Sequence, residues 1–188
     1  MRSNALQFLW ILIASLPLLA CGSGESNVVQ GNRAGILHFG NGTEPQGLDP
    51  HVVTGIPESH IVHALFEGLT VKNPYTLESE PGVAQRWDIS ADGLTITFHL
   101  NPAARWSNGD PMTAQDYVWS WQRALSPAMG NQNAYMLYPL ENAEAFATGK
   151  LDDFSRVGVK ALDAHTLQVR LNAPTPRRVT VTRLAATK

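Results

Sequence analysis

Cysteine is nearly absent from this 188-residue chain, and a single Cys21 excludes an intramolecular disulfide. Charge is sparse as well, at 16% of residues, and neither sign dominates: 14 Lys and Arg stand against 16 Asp and Glu. That balance lacks the basic excess that drives counterion release, so nucleic-acid binding is disfavoured. The longest apolar run, residues 5–20, is shorter than the about 20 residues a membrane-crossing helix needs, and Pro17 interrupts it. Catalytic signatures are missing too. There is no G-x-S-x-G elbow, no phosphate-binding P-loop and no G-x-G-x-x-G turn, so hydrolase, NTPase and dinucleotide chemistry have little support and the chain is not expected to be an enzyme.

What is present begins with an address. Arg2 precedes the apolar run, and residues 1–20 contain no acid, which matches a secretory signal. Cys21 follows Leu18, Leu19 and Ala20 directly. This resembles the lipobox of bacterial lipoproteins, with Leu19 where a smaller residue is usual. It implies lipidation at Cys21 after cleavage, export, and anchoring to a bacterial membrane. Residues 21–34, opening Gly22-Ser23-Gly24, read as a flexible tether.

From Gly35 onward the pattern becomes that of a folded domain, and the length allows burial of roughly two thirds of the unfolded surface. Residues 36–39 read as a short strand. Pro57 suits a helix start, and Ile61, Val62, Leu65, Phe66 and Leu69 then share one face, which predicts a helix over about 58–67. Residues 87–90 and 94–100 flank Ala91-Asp92-Gly93, with Leu94, Ile96, Phe98 and Leu100 alternating against polar residues, as in a half-buried hairpin. Thr113 and Asp116 resemble a capping box ahead of Tyr117, Val118, Trp121, Ala124 and Leu125, and Pro127 should stop that helix. Residues 141–148 predict a short helix closed by Gly149, and 157–162 with 166–171 a second hairpin. Without a βαβ rhythm the expected class is α+β, built on a mixed sheet with hairpins and short helices.

Three groups of residues invite a functional reading. His60 and His63 lie three apart with His51 nearby, a spacing that could share a metal; solvated histidines on a polar helix face are the simpler account. Trp87, Trp106, Trp119 and Trp121 could form a stacking platform, yet Trp119 and Trp121 point to different helix faces, so core packing suits most of them. The long loop from Asp49 to Pro57 joins a strand to a helix and carries Gly55, which permits close approach of a ligand backbone.

An ordered set of motifs extends these hints. Thr43-Glu44-Pro45, Leu48-Asp49-Pro50, Leu65-Phe66-Glu67-Gly68-Leu69-Thr70, Pro81-Gly82-Val83-Ala84 and Ser90-Ala91-Asp92-Gly93-Leu94-Thr95 come first. Trp106-Ser107-Asn108-Gly109-Asp110-Pro111, Asp116-Tyr117-Val118, Ser120-Trp121-Gln122-Arg123 and Gly158-Val159-Lys160-Ala161-Leu162-Asp163 follow. Over about 140 residues this resembles the family 5 extracytoplasmic solute-binding proteins of ABC importers, and Asp49-Pro50-His51, Gly55 and Pro57-Glu58-Ser59 look most like the oligopeptide-binding branch.

The resemblance implies a type II periplasmic-binding-protein fold, with residues 35–176 as the N-terminal part of lobe I. It implies an oligopeptide ligand held by strand-like hydrogen bonds as two lobes close, with ABC permease and ATPase subunits as partners, no cofactor, and a monomeric receptor. The ligand-contacting stretch maps onto Thr54, Gly55 and Ile56. Oligopeptide-binding relatives often carry an acid at the place of Thr54, and a Tyr near Gln132-Asn133. Nickel, haem or dipeptide binding within the same fold is an alternative. Residues 177–188 hold four basic groups and no acid, whereas residues 21–176 carry 9 basic and 16 acidic groups, a net of −7. That break, where the family pattern ends, predicts a foreign tail and a receptor cut short, unable to sequester ligand alone, or a non-functional remnant.

Overall fold

The structure is a computed structural model that describes residues 25–174; the expected signal segment, Cys21 and the basic tail lie outside the described residues. The chain divides after Asn41 into two units. The first contains helix α1 (Asn27–Ala34), which starts at Ser26, whose Oγ accepts from Val29 N–H, and ends at Gly35. This helix occupies most of the stretch expected to be a flexible tether. The strand expected over 36–39 does not form. Those residues take no part in a strand, and Ile36, Leu37 and Phe39 are exposed; alternation of side chains makes a strand only where a second strand supplies hydrogen bonds.

The second unit is built on a four-stranded sheet. Helix α2 (Ile56–Leu65) comes first, then the small hairpin of β1 (Thr70–Lys72) and β2 (Ser79–Pro81). The main sheet contains β3 (Ala84–Ile89), β4 (Thr95–Leu100), β5 (Val159–Asp163) and β6 (Thr166–Arg170), ordered β3-β4-β6-β5. Every pairing among the described residues is antiparallel, so the α+β class stands while the sheet they form is antiparallel rather than the expected mixed one. Two hairpins laid side by side, β4 against β6, generate an antiparallel sheet without any crossover. Both hairpins fall where the period-two pattern predicted them, and the first turns at Gly93, whose φ of 70° suits a residue without a Cβ.

Helix α3 (Ala114–Leu125) packs against β5 and β6. Its start is the expected capping box: Asp116 Oδ2 accepts from Thr113 N–H at 2.7 Å and from Thr113 Oγ1–H at 3.0 Å. It ends at Leu125, before Pro127. Tyr117, Trp121, Ala124 and Leu125 face inward and meet Ile96, Phe98 and Leu100 of β4 and Leu167 and Val169 of β6 in one core. Trp121 is buried there, Trp87 and Trp106 pack at its margin, and Trp119 is 49% exposed.

Helix α4 (Ala143–Ala147) is shorter than the expected 141–148. Glu141 is committed elsewhere, donating its N–H to Arg170 O and accepting from Gly158 N–H, and Asn142 turns the chain with φ of 60°.

The apolar spacing on α2 misleads. Of its expected inward face only Leu69 is buried; Leu65 is 64% exposed, and the helix buries Glu58 instead. Among the described residues no helix is long and apolar enough to cross a membrane.

Candidate functional site

The loop from Thr43 to Pro57 is held at three places. At its first turn Asp49 accepts from His51 N–H through Oδ1 and from Val52 and Val53 N–H through its carbonyl, a compact Asx-type turn. Arg123 on α3 then grips Asp49 with both terminal nitrogens, NH1 to Oδ1 at 2.9 Å and NH2 to Oδ2, a bidentate pair whose planar fork suits a carboxylate. Arg123 NH1 also approaches His51 Nδ1 at 2.6 Å. Guanidinium has no acceptor, so Nδ1 accepts, and the ring proton of a neutral imidazole sits on Nε2, which donates to Ser120 Oγ at 3.1 Å. Helical spacing puts Ser120 and Arg123 three apart, on one side of α3.

Further along the loop, Asn133 Nδ2 donates to Val53 O at 3.4 Å. At the start of α2, the Glu58 carboxylate accepts from Gln46 N–H at 2.8 Å and so ties the beginning of the loop to its end. Glu58 packs directly over Gly55, where an added Cβ would collide with its carboxylate. Gly55 is the residue before the helix, in extended conformation with φ of −78° and ψ of 154°.

Electrostatics follow the contacts. The Arg123 hydrogen bonds, helped by the His51 N–H, hold the Asp49 carboxyl down at about 2 against the burial that opposes them. Burial, then the neighbouring Arg123 charge, pushes the His51 imidazole below its ordinary value, and Asp49 acts in the other direction. The Gln46 N–H, then its own backbone N–H, lowers the Glu58 carboxyl.

Between these anchors stand the residues singled out from sequence. Thr54 and Ile56 are exposed, Ile56 at 72%, and Gly55 is half-buried. Thr54 and Gly55 line an open concavity of about 690 Å³ with Glu44, Leu48, Val52 and Pro57. Leu48, Val52 and Pro57 give it apolar surface beside the polar side chains of Glu44 and Glu58, and Gly55 is extended at its edge. His60 and His63 are exposed on α2, where His63 Nδ1 meets Ser59 Oγ, while His51 turns away to Arg123 and Ser120. Among the described residues no three His, Cys, Asp or Glu side chains converge as metal ligands would.

Residues 78–187 match the family model described as "Bacterial extracellular solute-binding proteins, family 5 Middle". The chain belongs to this family. The periplasmic oligopeptide-binding protein OppA of Escherichia coli K12 is 45% identical over 138 residues, covering 72% of this chain and 25% of that protein. The oligopeptide-binding protein OppA of Bacillus subtilis 168 is 41% identical over 173 residues, covering 88% of this chain and 31% of that one. Among solved structures, Haemophilus influenzae OppA in complex with the peptide RPPGFSPFR superposes with a TM-score of 0.72 at 37% identity, over 79% of this chain and 29% of its own. The α+β, type II periplasmic-binding fold expected from the motifs is the fold of these family members. The chain spans between a quarter and a third of the length of these curated relatives.

The Asp49 to Arg123 ion pair has a measurable signature. The Asp49 pKa is lower in the folded chain than in the unfolded one, so its contribution is complete above the ordinary carboxylate value of 3.8 and is lost as pH falls from there through about 2. Both side chains are about a third exposed, so screening holds the effect to about 1 kcal/mol. Urea unfolding of the parent chain and Asp49→Asn should differ by this amount at pH 6 and converge toward pH 2. A gap that stays constant over that range would contradict the assignment.

Proposed function

We propose that this chain is the peptide-receiving part of a substrate-binding lipoprotein for an ABC importer of oligopeptides. It acts by binding rather than by chemistry, delivers its ligand to permease and ATPase subunits, and is held at the outer side of a bacterial membrane by a lipidated Cys21. The observation that carries the reading is the concavity around Thr54 and Gly55, in a chain 45% identical to a periplasmic oligopeptide-binding protein over 138 residues. Thr54 and the extended Gly55 offer main-chain groups with which a peptide pairs, Ile56 follows them as the first residue of α2, and the apolar wall of Leu48 and Val52 accepts side chains of varied shape.

Residues 25–174 supply one wall. A peptide enclosed on a single side keeps much of its surface hydrated, so binding by this chain alone is weak. Titration of the full chain with mixed tri- to pentapeptides, followed by amide chemical shifts, should move Thr54, Gly55 and Ile56 at millimolar peptide. Shifts confined to other surfaces would overturn the site, and micromolar affinity would overturn the one-wall account.

The anchor is tested separately. In a bacterial host supplied with radiolabelled palmitate, the parent chain should carry label and sediment with membranes, and Cys21→Ser should lose the label. Two or more acyl chains give stable attachment because each buried methylene contributes about 0.8 kcal/mol. Equal labelling of both chains would remove Cys21 from the reading.

A further inference from the structure

His51 is buried, titratable and unused by the peptide-contact reading, yet it sits where the loop is fastened to α3. Three observations meet at this ring. Its Nδ1 accepts a hydrogen bond from a guanidinium that can only donate, its Nε2 faces Ser120 Oγ, and the same guanidinium holds Asp49, two residues away along the chain. We propose that Asp49, His51, Ser120 and Arg123 form a latch that positions Thr54, Gly55 and Ile56 for the ligand and releases them when His51 is protonated. The proposal rests on the reading of those three residues as the peptide contact.

The release follows from hydrogen-bond chemistry. An imidazolium has no acceptor, so protonation at Nδ1 turns a bond of 2.6 Å into the meeting of two donors and two positive charges. Arg123 is already engaged by Asp49 and has no second acid on this loop turn to retreat to. Burial opposes protonation of His51 most, the Arg123 charge from α3 adds to that opposition, and Asp49 from its own loop favours protonation. Further along the loop Asn133, which is uncharged, donates to the carbonyl of Val53. The ring therefore charges less readily in the latched state than in the released one. Latch stability is complete above the ordinary imidazole value of 6.5 and declines as pH falls below it. The second anchor, Glu58 to Gln46, does not involve this ring, so the loop opens at its middle while its ends stay tied.

A latch of this kind makes His51, Arg123 and Asp49 positioning residues, and pH dependence separates them from simple packing. Gln can accept from Arg123 and donate to Ser120 without titrating, so His51→Gln preserves the bonds and removes the switch, whereas His51→Leu removes both. Amide hydrogen exchange by mass spectrometry on the full chain, corrected for intrinsic rates, reads the loop directly. Between pH 7.5 and pH 5 the protection of residues 48–56 in the parent chain should fall by about tenfold, while strands β4 and β6 hold theirs. His51→Gln should stay protected at both pH values and His51→Leu at neither.

A flat parent profile, or an equal fall in His51→Gln, overturns the latch. Should His51→Gln fail to fold, the imidazole nitrogen and carbon shifts of the parent chain decide. A ring that is neutral and protonated on Nε2 at pH 6.5 is expected, and a midpoint at or above 6.5 refutes the proposal. Exchange reports the latch whether or not a peptide binds. Loss of the pH dependence with peptide shifts intact at Thr54 to Ile56 therefore removes the latch alone, and the converse removes the contact reading alone.

Discussion

Trp121→Ala should lose about 3–5 kcal/mol of folding stability, the range for emptying a large aromatic site in a packed core. The indole is 1% exposed, stands edge-on to Tyr117 at 6.4 Å between ring centroids, and sits where α3 covers the sheet. A cavity that large is not refilled, because α3 is held at its start by the Thr113 and Asp116 box and by packing on β5 and β6. Trp121→Phe makes the mechanism specific. The buried Nε1 has no hydrogen-bond partner among the described residues, so Phe removes an unsatisfied donor along with part of the volume, and the loss should shrink to about 1–2 kcal/mol. Urea midpoints for the two variants check this; equal losses would mean that the indole N–H is satisfied by something else.

Gly158→Ala is the second large effect, expected to cost about 3 kcal/mol, at the upper end of overpacking penalties. Gly158 lies at a backbone junction: its N–H donates to Glu141 O, its carbonyl accepts from Arg170 N–H, and Arg170 O accepts from Glu141 N–H. A Cβ at this position would overlap Arg170 O and approach Glu141 Cβ at 3.0 Å. Backbone oxygen cannot swing aside as a side-chain tip can, so relief requires separating β6 from the Glu141 segment. Gly109→Ala makes a useful contrast, since its added Cβ meets nothing within 4 Å and its cost comes only from the φ of 91°. Thermal unfolding should therefore rank Gly158→Ala well below Gly109→Ala. The reverse order would show that left-handed backbone strain outweighs the close approach.

Much of the fold could be read along the chain, because its signals are local. Ile96, Phe98 and Leu100 alternate with polar residues because one side of β4 faces the core, and the second hairpin repeats the device with Leu167 and Val169. The capping box was legible as two residues three apart. The helix at Ile61, Val62 and Leu65 was legible as a helix but not as an exposed one, since periodicity reports which residues share a face and not whether anything covers it. The pairing of β4 with β6 joins segments about 70 residues apart, and no spacing in the chain encodes that register.

The candidate site divides in the same way. The loop and Gly55 stood out through local chemistry, a long connection into a helix that carries a residue lacking a Cβ, although the strand expected ahead of it does not form. The grip of Arg123 on Asp49 spans 74 positions and joins two residues that are individually ordinary. Glu58 left one usable trace, an acid in the first turn of a helix after Pro57, where the helix N-terminus favours negative charge. Its bond to Gln46 depends on how the loop folds back, which only the tertiary structure determines.

The order of strands in the sheet also constrains when the molecule can acquire its shape. Since β6 lies between β4 and β5, the first hairpin is an isolated two-stranded ribbon until residues 166–170 have been synthesised, and such ribbons are at best marginal in water. Closing the intervening segment costs chain entropy that no local contact repays. At ribosomal rates, roughly 10–30 s of synthesis pass before β6 exists. Throughout that interval the core that β4 and β6 share with α3 is not yet there to resist threading of the nascent chain in extended form.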